Sequence, residues 1–202
     1  MAVKYGMLID LRRCTGCRAC QVACKAENEV PLGIFRGWVT DTERGTYPKV
    51  KKYFLPRLCN HCDKPVCMEK CPIKAISKRA DGVVLVDQSK CKNLKLCVKN
   101  CPYGAPSINP MVNKAEKCTF CIHRVEAGIV PSCVNTCQGR ARIFGDVNDS
   151  ASEIAKLIAA YKTTTLTPHT GGPNVYYIAP DQKEVGYGDE YQSMNKSHSG
   201  VK

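Results

Sequence analysis

Cysteine is the residue in this chain whose number and spacing could do chemistry, and it falls into four groups. Cys14, Cys17, Cys20 and Cys24 form a complete C-x2-C-x2-C-x3-C run. Cys59, Cys62, Cys67 and Cys71 form a second run, with four residues rather than two in its middle gap. Cys91, Cys97 and Cys101 form a third, in which Leu94 stands where the spacing wants a cysteine. The fourth is Cys118 and Cys121, then eleven residues, then Cys133 and Cys137. Pro72 and Pro102 directly follow the second and third runs, where a fixed φ and a missing donor close a ligand loop. Thiolates two residues apart can wrap three irons of one cubane, and the fourth ligand must then come from a distant point of the chain.

Two other uses of cysteine compete with iron. Disulfide frameworks suit small secreted chains with even counts, whereas this chain has 15 cysteines in tight pairs. Zinc ribbons also use C-x2-C pairs, but they do not account for three-cysteine runs with a fourth cysteine three residues on. Cysteine makes up about 7% of the 202 residues, so cross-linking by metal must supply much of the stability of a modest core.

The stretch from Cys59 to Pro102, two cysteine runs separated by a short Asp81-Gly82 hairpin, resembles a bacterial two-cluster ferredoxin. In that family the last cysteine of each run ligates the cluster of the other run. Carried over, the resemblance implies one cluster on Cys59, Cys62, Cys67 and Cys101, and another on Cys71, Cys91 and Cys97. The first and fourth groups would then pair across this module, with Cys24 and Cys137 exchanged. That gives a cluster on Cys14, Cys17, Cys20 and Cys137, and one on Cys24, Cys118, Cys121 and Cys133. An aliphatic side chain cannot bind iron, so the corner at Leu94 has no protein ligand. The expected cofactors are three [4Fe-4S] clusters and one [3Fe-4S] cluster; a fourth [4Fe-4S] with a water ligand, or with Asn93, ranks below.

The elements that must position these ligands are short. Residues 3–11 read as an edge strand running into the first ligand loop. Gly16 allows a tight turn there. Residues 25–58 lack cysteine and carry Phe35, Trp38, Tyr47, Tyr53 and Phe54, which suits either a hairpin covering the first centre or a docking surface rich in aromatics. His61 reads as a hydrogen-bonding loop residue rather than an iron ligand. Residues 75–86 form a hairpin, and 102–117, rich in Pro, Gly and Asn, read as a loop. His123 and Arg124 read as loop scaffolding, with Arg124 alternatively donating to cluster sulfides. A helix capped by Ser152 or Asp149 should run to about Tyr161, its apolar face made by Ile154, Leu157, Ile158 and Tyr161. Asn174–Ile178 is strand-like, and the Gly-, Ser-, Asn- and Lys-rich residues 186–202 should be mobile.

The fold class is therefore α+β: two ferredoxin-like modules related by a pseudo-two-fold, the second inserted in the first, with a C-terminal helix and extended tail. Residues 1–50 hold the first half of the outer module plus the aromatic insertion, 51–109 the inner module, 110–150 the second half of the outer one, and 151–202 the helix and a partner-wrapping or mobile tail.

Net charge is +12, which by itself suggests nucleic acid. Each cubane with four thiolates carries about −2, so four of them leave about +4. The chain also lacks the stacked-aromatic platform of single-strand binders, so no nucleic-acid partner is expected. No apolar run approaches the roughly 18 residues of a membrane span. Residues 1–10 show neither a signal core nor twin arginines. No dinucleotide fingerprint, triad or paired acids mark an enzyme in its own right.

The four groups, together with Cys118-Thr-Phe-Cys-Ile-His-Arg124 and Ala141-Arg-Ile-Phe-Gly-Asp146, resemble the electron-transfer iron–sulfur subunit of the dimethyl-sulfoxide-reductase family of molybdenum enzymes. The resemblance extends over about residues 3–180 and is strongest to the small subunits of polysulfide, thiosulfate, tetrathionate and arsenate reductases. It implies a non-catalytic wire between a separate molybdopterin-containing catalytic subunit and a membrane quinone-linked or cytochrome partner. It also implies a place on the extracytoplasmic (periplasmic) face, reached by co-export with a partner bearing a twin-arginine signal; the alternative is cytoplasmic. The competing reading is a free-standing multi-cluster ferredoxin serving another oxidoreductase, such as a hydrogenase or formate dehydrogenase.

Overall fold

The structure, a computed structural model, describes residues 2–166 and 171–180. Strand β1 (Tyr5–Asp10) is the centre of a four-stranded sheet, not its edge. It runs antiparallel to β8 (Arg142–Asp146), with Met7 opposite Phe144, and parallel to β10 (Val175–Ile178), with Met7 opposite Val175. The two-residue strand β9 (Thr163–Thr164) closes the far edge. The physical sign of centrality is the unbroken apolar run Met7-Leu8-Ile9, all three fully buried. A strand covered on both faces reads as a continuous run rather than an alternation. Met7 and Ile9 face the main core with Cys59, Phe120 and Tyr177, while Leu8 faces a second core with Ile143, Ile154 and Ile178.

That second core is closed by helix α6 (Glu153–Ala160). Ser152 caps it, its Oγ accepting from Ala155 N at 3.2 Å, and Leu157, Ile158 and Tyr161 pack beside the fully buried Ile154. Both features agree with the sequence reading. The chain then returns into the sheet as β10, and Asn174 just before it ties the tail to the second ligand loop. Its Nδ2 donates to His61 O at 2.7 Å and to Asp63 Oδ1 at 3.1 Å.

The remaining sheets are hairpins. Strands β2 (Gly37–Arg44) and β3 (Lys51–Leu58) form the aromatic insertion, paired from Gly37 opposite Leu58 to Arg44 opposite Lys51. Strands β4 (Ile76–Lys78) and β5 (Val84–Val86) flank the Asp81-Gly82 turn, where Gly82 takes a positive φ and Asp81 Oδ1 accepts from Val83 N. Residues 102–117 are not all loop: β6 (Ser107–Asn109) and β7 (Lys114–Glu116) pair antiparallel. Strands of three residues give too little alternation to stand out from their Pro- and Asn-rich flanks.

The ligand loops lead into short helices. Helices α1 (Ala19–Glu27) and α3 (Leu96–Asn100) each follow a left-handed residue, Arg18 and Lys95. Helices α2 (Val66–Glu69) and α5 (Ser132–Asn135) each follow a proline, Pro65 and Pro131, while α4 (Ile122–Glu126) starts at the left-handed Cys121. Helix α1 packs on α5, and α2 on α3. Among the described residues no helix is long and apolar enough to cross a membrane. The stretch 186–202 lies outside the described residues.

Candidate iron–sulfur centres

All fifteen cysteines are free thiols, and the fold gathers them into four sets. Cys14, Cys17, Cys20 and Cys137 line one cavity, together with Arg142 and with Val39 and Pro56 of the insertion hairpin. Phe54 packs where a Cβ on Gly16 would lie, and Gly16 has φ 70°. The base of the hairpin thus covers this centre, while Tyr47 near its tip is 91% exposed. Cys24, Cys118, Cys121 and Cys133 form the second set. Asn28 Nδ2 lies 3.8 Å from Cys24 Sγ and 3.7 Å from Cys121 Sγ, and Phe120 N donates to Cys118 Sγ at 3.4 Å.

Cys59, Cys62, Cys67 and Cys101 line a third cavity with His61 and Val84. Cys71, Cys91 and Cys97 line the fourth with Asn93 and Leu94, and Ala115 N donates to Cys91 Sγ at 3.4 Å. Leu94 is 46% exposed, so this corner opens toward solvent. Exposed Lys90, Lys92, Lys95 and Lys99 surround that loop.

Without metal these thiols are poor anions. Burial, and then the neighbouring thiolates Cys133 and Cys121, push Cys24 up to about 12. Burial and Cys59 do the same to Cys62 and Cys67, each to about 12, and raise Cys101 to about 11. Burial also drives Cys118 well above the ordinary thiol value. Groups of four such thiols are stable as thiolates only around a cation that displaces their protons. Among the described residues no three His, Cys, Asp or Glu side chains are disposed to hold one metal ion. A cubane, whose corner irons sit apart, fits thiols spaced in this way.

A second feature fits a sulfide-bearing group. His61 is fully buried, its ring stacked on Phe120 at 3.8 Å, and its Nδ1 accepts from Val84 N at 3.0 Å. Burial, with Lys117 and Lys78 nearby, holds it well below its ordinary value and hence neutral. The proton is then on Nε2, which is buried with no partner among the described residues. An N–H donor so placed suits a sulfur acceptor. As the sequence reading has it, His61 is a hydrogen-bonding loop residue.

Arg124 is scaffolding. It donates to Glu27 Oε2 at 2.8 Å and to Val130 O at 3.0 Å, and His123 Nε2 lies 2.8 Å from Glu27 Oε1. The cation that does reach the sulfurs is one that sequence reasoning does not single out. Arg142 is 4% exposed, and its Nη1 donates to Cys133 Sγ at 3.9 Å. A second buried cation, Lys117, lies beside the second set, but its Nζ donates to backbone carbonyls, Val84 O and Cys118 O. The only signals are an arginine opening an apolar strand five residues past Cys137 and a lysine directly before Cys118.

Comparison with known proteins points the same way. Residues 50–147 match the 4Fe-4S dicluster domain family, and residues 5–26 the 4Fe-4S binding domain family. The chain is 46% identical over 187 residues to a tetrathionate reductase subunit of Salmonella typhimurium, covering 90% of this chain and 75% of that protein. It is 38% identical over 210 residues to a selenate reductase subunit of Mesobacillus selenatarsenatis, covering 87% and 72%. It is 34% identical over 225 residues to the arsenate respiratory reductase iron-sulfur subunit of a Shewanella species, covering 87% and 96%.

Proposed function

The chain belongs to the iron–sulfur subunits of the dimethyl-sulfoxide-reductase family, and we propose that it relays single electrons through four clusters between a molybdopterin catalytic subunit and a membrane quinone or cytochrome partner. The observation that carries this is the order of the four thiol sets. Arg142 lines the cavity of the first set and donates to Cys133 Sγ of the second, while Lys117, directly before Cys118 of the second set, donates to Val84 O at the wall of the third. The fourth set joins the third through the packing of α2 on α3. The sets therefore run one, two, three, four, which is the arrangement a wire requires.

In this reading the clusters supply the one-electron chemistry. The chain's own residues hold them by thiolates, donate backbone and Asn28 N–H groups to the sulfurs, and exclude water with the insertion hairpin. Cys24 and Cys137 are the exchanged ligands of an outer module, and Cys71 and Cys101 those of an inner one. The paired packing of α1 on α5 and α2 on α3 supports a pseudo-two-fold between the modules. Three centres hold [4Fe-4S] and the Leu94 centre [3Fe-4S], because only three thiols reach it. The complex works on the extracytoplasmic face, exported together with a partner that carries the twin-arginine signal.

Size-exclusion of a native extract tests the subunit reading. Co-elution of this chain with a larger molybdenum-containing chain is the expected result. A lone 22.3 kDa carrier with all clusters in place contradicts it and favours a free ferredoxin.

A further inference from the structure

Two buried cations sit at the junctions on either side of the second centre. Arg142 opens β8 opposite Ile9. The alternation of that strand turns it to the same face as Ile9, while Ile143 turns toward α6. Its guanidinium reaches Cys133 Sγ of the second set and lines the cavity of the first. Lys117 directly precedes Cys118 of the second set and donates to Val84 O, whose residue lines the cavity of the third. Neither has a carboxylate within salt-bridge distance among the described residues.

A buried charge without a partner is costly enough that proteins pair it or neutralise it. The guanidinium of Arg142 is a permanent cation, and the polar partner it has among the ligand sets is Cys133 Sγ, at 3.9 Å. Lys117 is held between the Cys118 carbonyl of the second set and Val84 at the wall of the third. The anions that answer these two cations are therefore the thiolate sets themselves. Two neighbouring negative centres repel, and adding an electron to either makes the repulsion worse. A fixed positive charge between them, in a dry interior where it is little screened, offsets that cost most in the reduced state.

We infer that Arg142 and Lys117 are internal counter-ions of the electron path, Arg142 shared by the first and second centres and Lys117 by the second and third, and that they make these centres easier to reduce. The inference rests on the proposed ligation but not on the identity of the catalytic or membrane partner. Both are positioning residues that act on potentials through charge, and neither ligates iron.

EPR-monitored redox titration of the cluster-loaded protein is the test. In Arg142→Gln the reduced-to-oxidised ratio of the first and second centres at a fixed potential should fall about tenfold, or about 59 mV for one electron, with the fourth centre unmoved. Arg142→Lys keeps the charge and should restore most of the shift. Lys117→Met should act in the same sense on the second and third centres, so the idea stays testable even where Arg142→Gln does not assemble. Unmoved potentials in the loaded variants overturn the inference. So does an equal shift of all four centres, or an Arg142→Lys variant as impaired as Arg142→Gln. If the iron content shows that the thiol sets hold no clusters at all, it is the ligation reading that fails instead.

Discussion

Replacing Gly16 by alanine probes how the insertion hairpin is held over the first centre. Gly16 has φ 70°, and a Cβ there would overlap the Phe54 ring. The left-handed conformation costs a residue with a Cβ about 1–2 kcal/mol. Forcing an extra methyl into a filled contact costs about 1–3 kcal/mol more. Gly16→Ala should therefore destabilise by about 2–5 kcal/mol in all. Only the second part depends on Phe54. In a Phe54→Ala background the overlap is gone, and the same substitution should cost about 1–2 kcal/mol. The double-mutant cycle should then show a coupling of about 1–3 kcal/mol. Bleaching of the visible iron–sulfur absorbance in anaerobic guanidinium is irreversible, so rates are compared, with a factor of ten counted as about 1.4 kcal/mol. Gly16→Ala should bleach faster than wild type, and the double variant more slowly than the sum of the singles requires. Strict additivity would refute the packing of Phe54 on Gly16 and the role of the hairpin as a cover.

Leu94→Cys should supply the missing ligand of the fourth centre, raise its iron content by one and abolish any three-iron EPR signal; an unchanged signal contradicts the assignment of that corner. Removing iron anaerobically with a chelator should abolish the cooperative melt, because cluster binding is folding free energy in a chain so rich in ligands; iron-free protein with native circular dichroism and a sharp transition would show otherwise. Ile154→Ala empties a fully buried site against Leu8, Ile143 and Ile178 and should speed anaerobic bleaching of loaded protein by the equivalent of about 2–5 kcal/mol, whereas an effect below about 1 kcal/mol would mean that α6 is not anchored there.

The parts of this molecule legible in its sequence are those with local causes. Ligand spacing is one, since a loop of two residues between thiols is a property of neighbours in the chain. The Asp81-Gly82 hairpin and the Ser152 cap are others, each written in a few adjacent residues. The place of β1 was not legible, because its parallel partner β10 arrives some 170 positions later and nothing near Tyr5 announces it. The run Met7-Leu8-Ile9 did carry the clue, as an absence of alternation. The β6–β7 hairpin is too short to leave a period. Arg142 and Lys117 escape notice for a different reason. A basic residue in a chain of net charge +12 reads as solvated surface until the fold shows that it is buried, as both of these are. Arg124, the cation that the sequence does bring forward, lies on the helix surface against Glu27.

The proposed set of four clusters, three of them cubanes and the fourth lacking an iron, is tested most directly by metal analysis and EPR on one sample of oxidised protein as isolated anaerobically. About 15 iron and about 16 sulfide per chain are expected, with a signal of about one spin from an oxidised three-iron cluster, since oxidised cubanes are silent. A silent spectrum with about 16 iron per chain would contradict that composition.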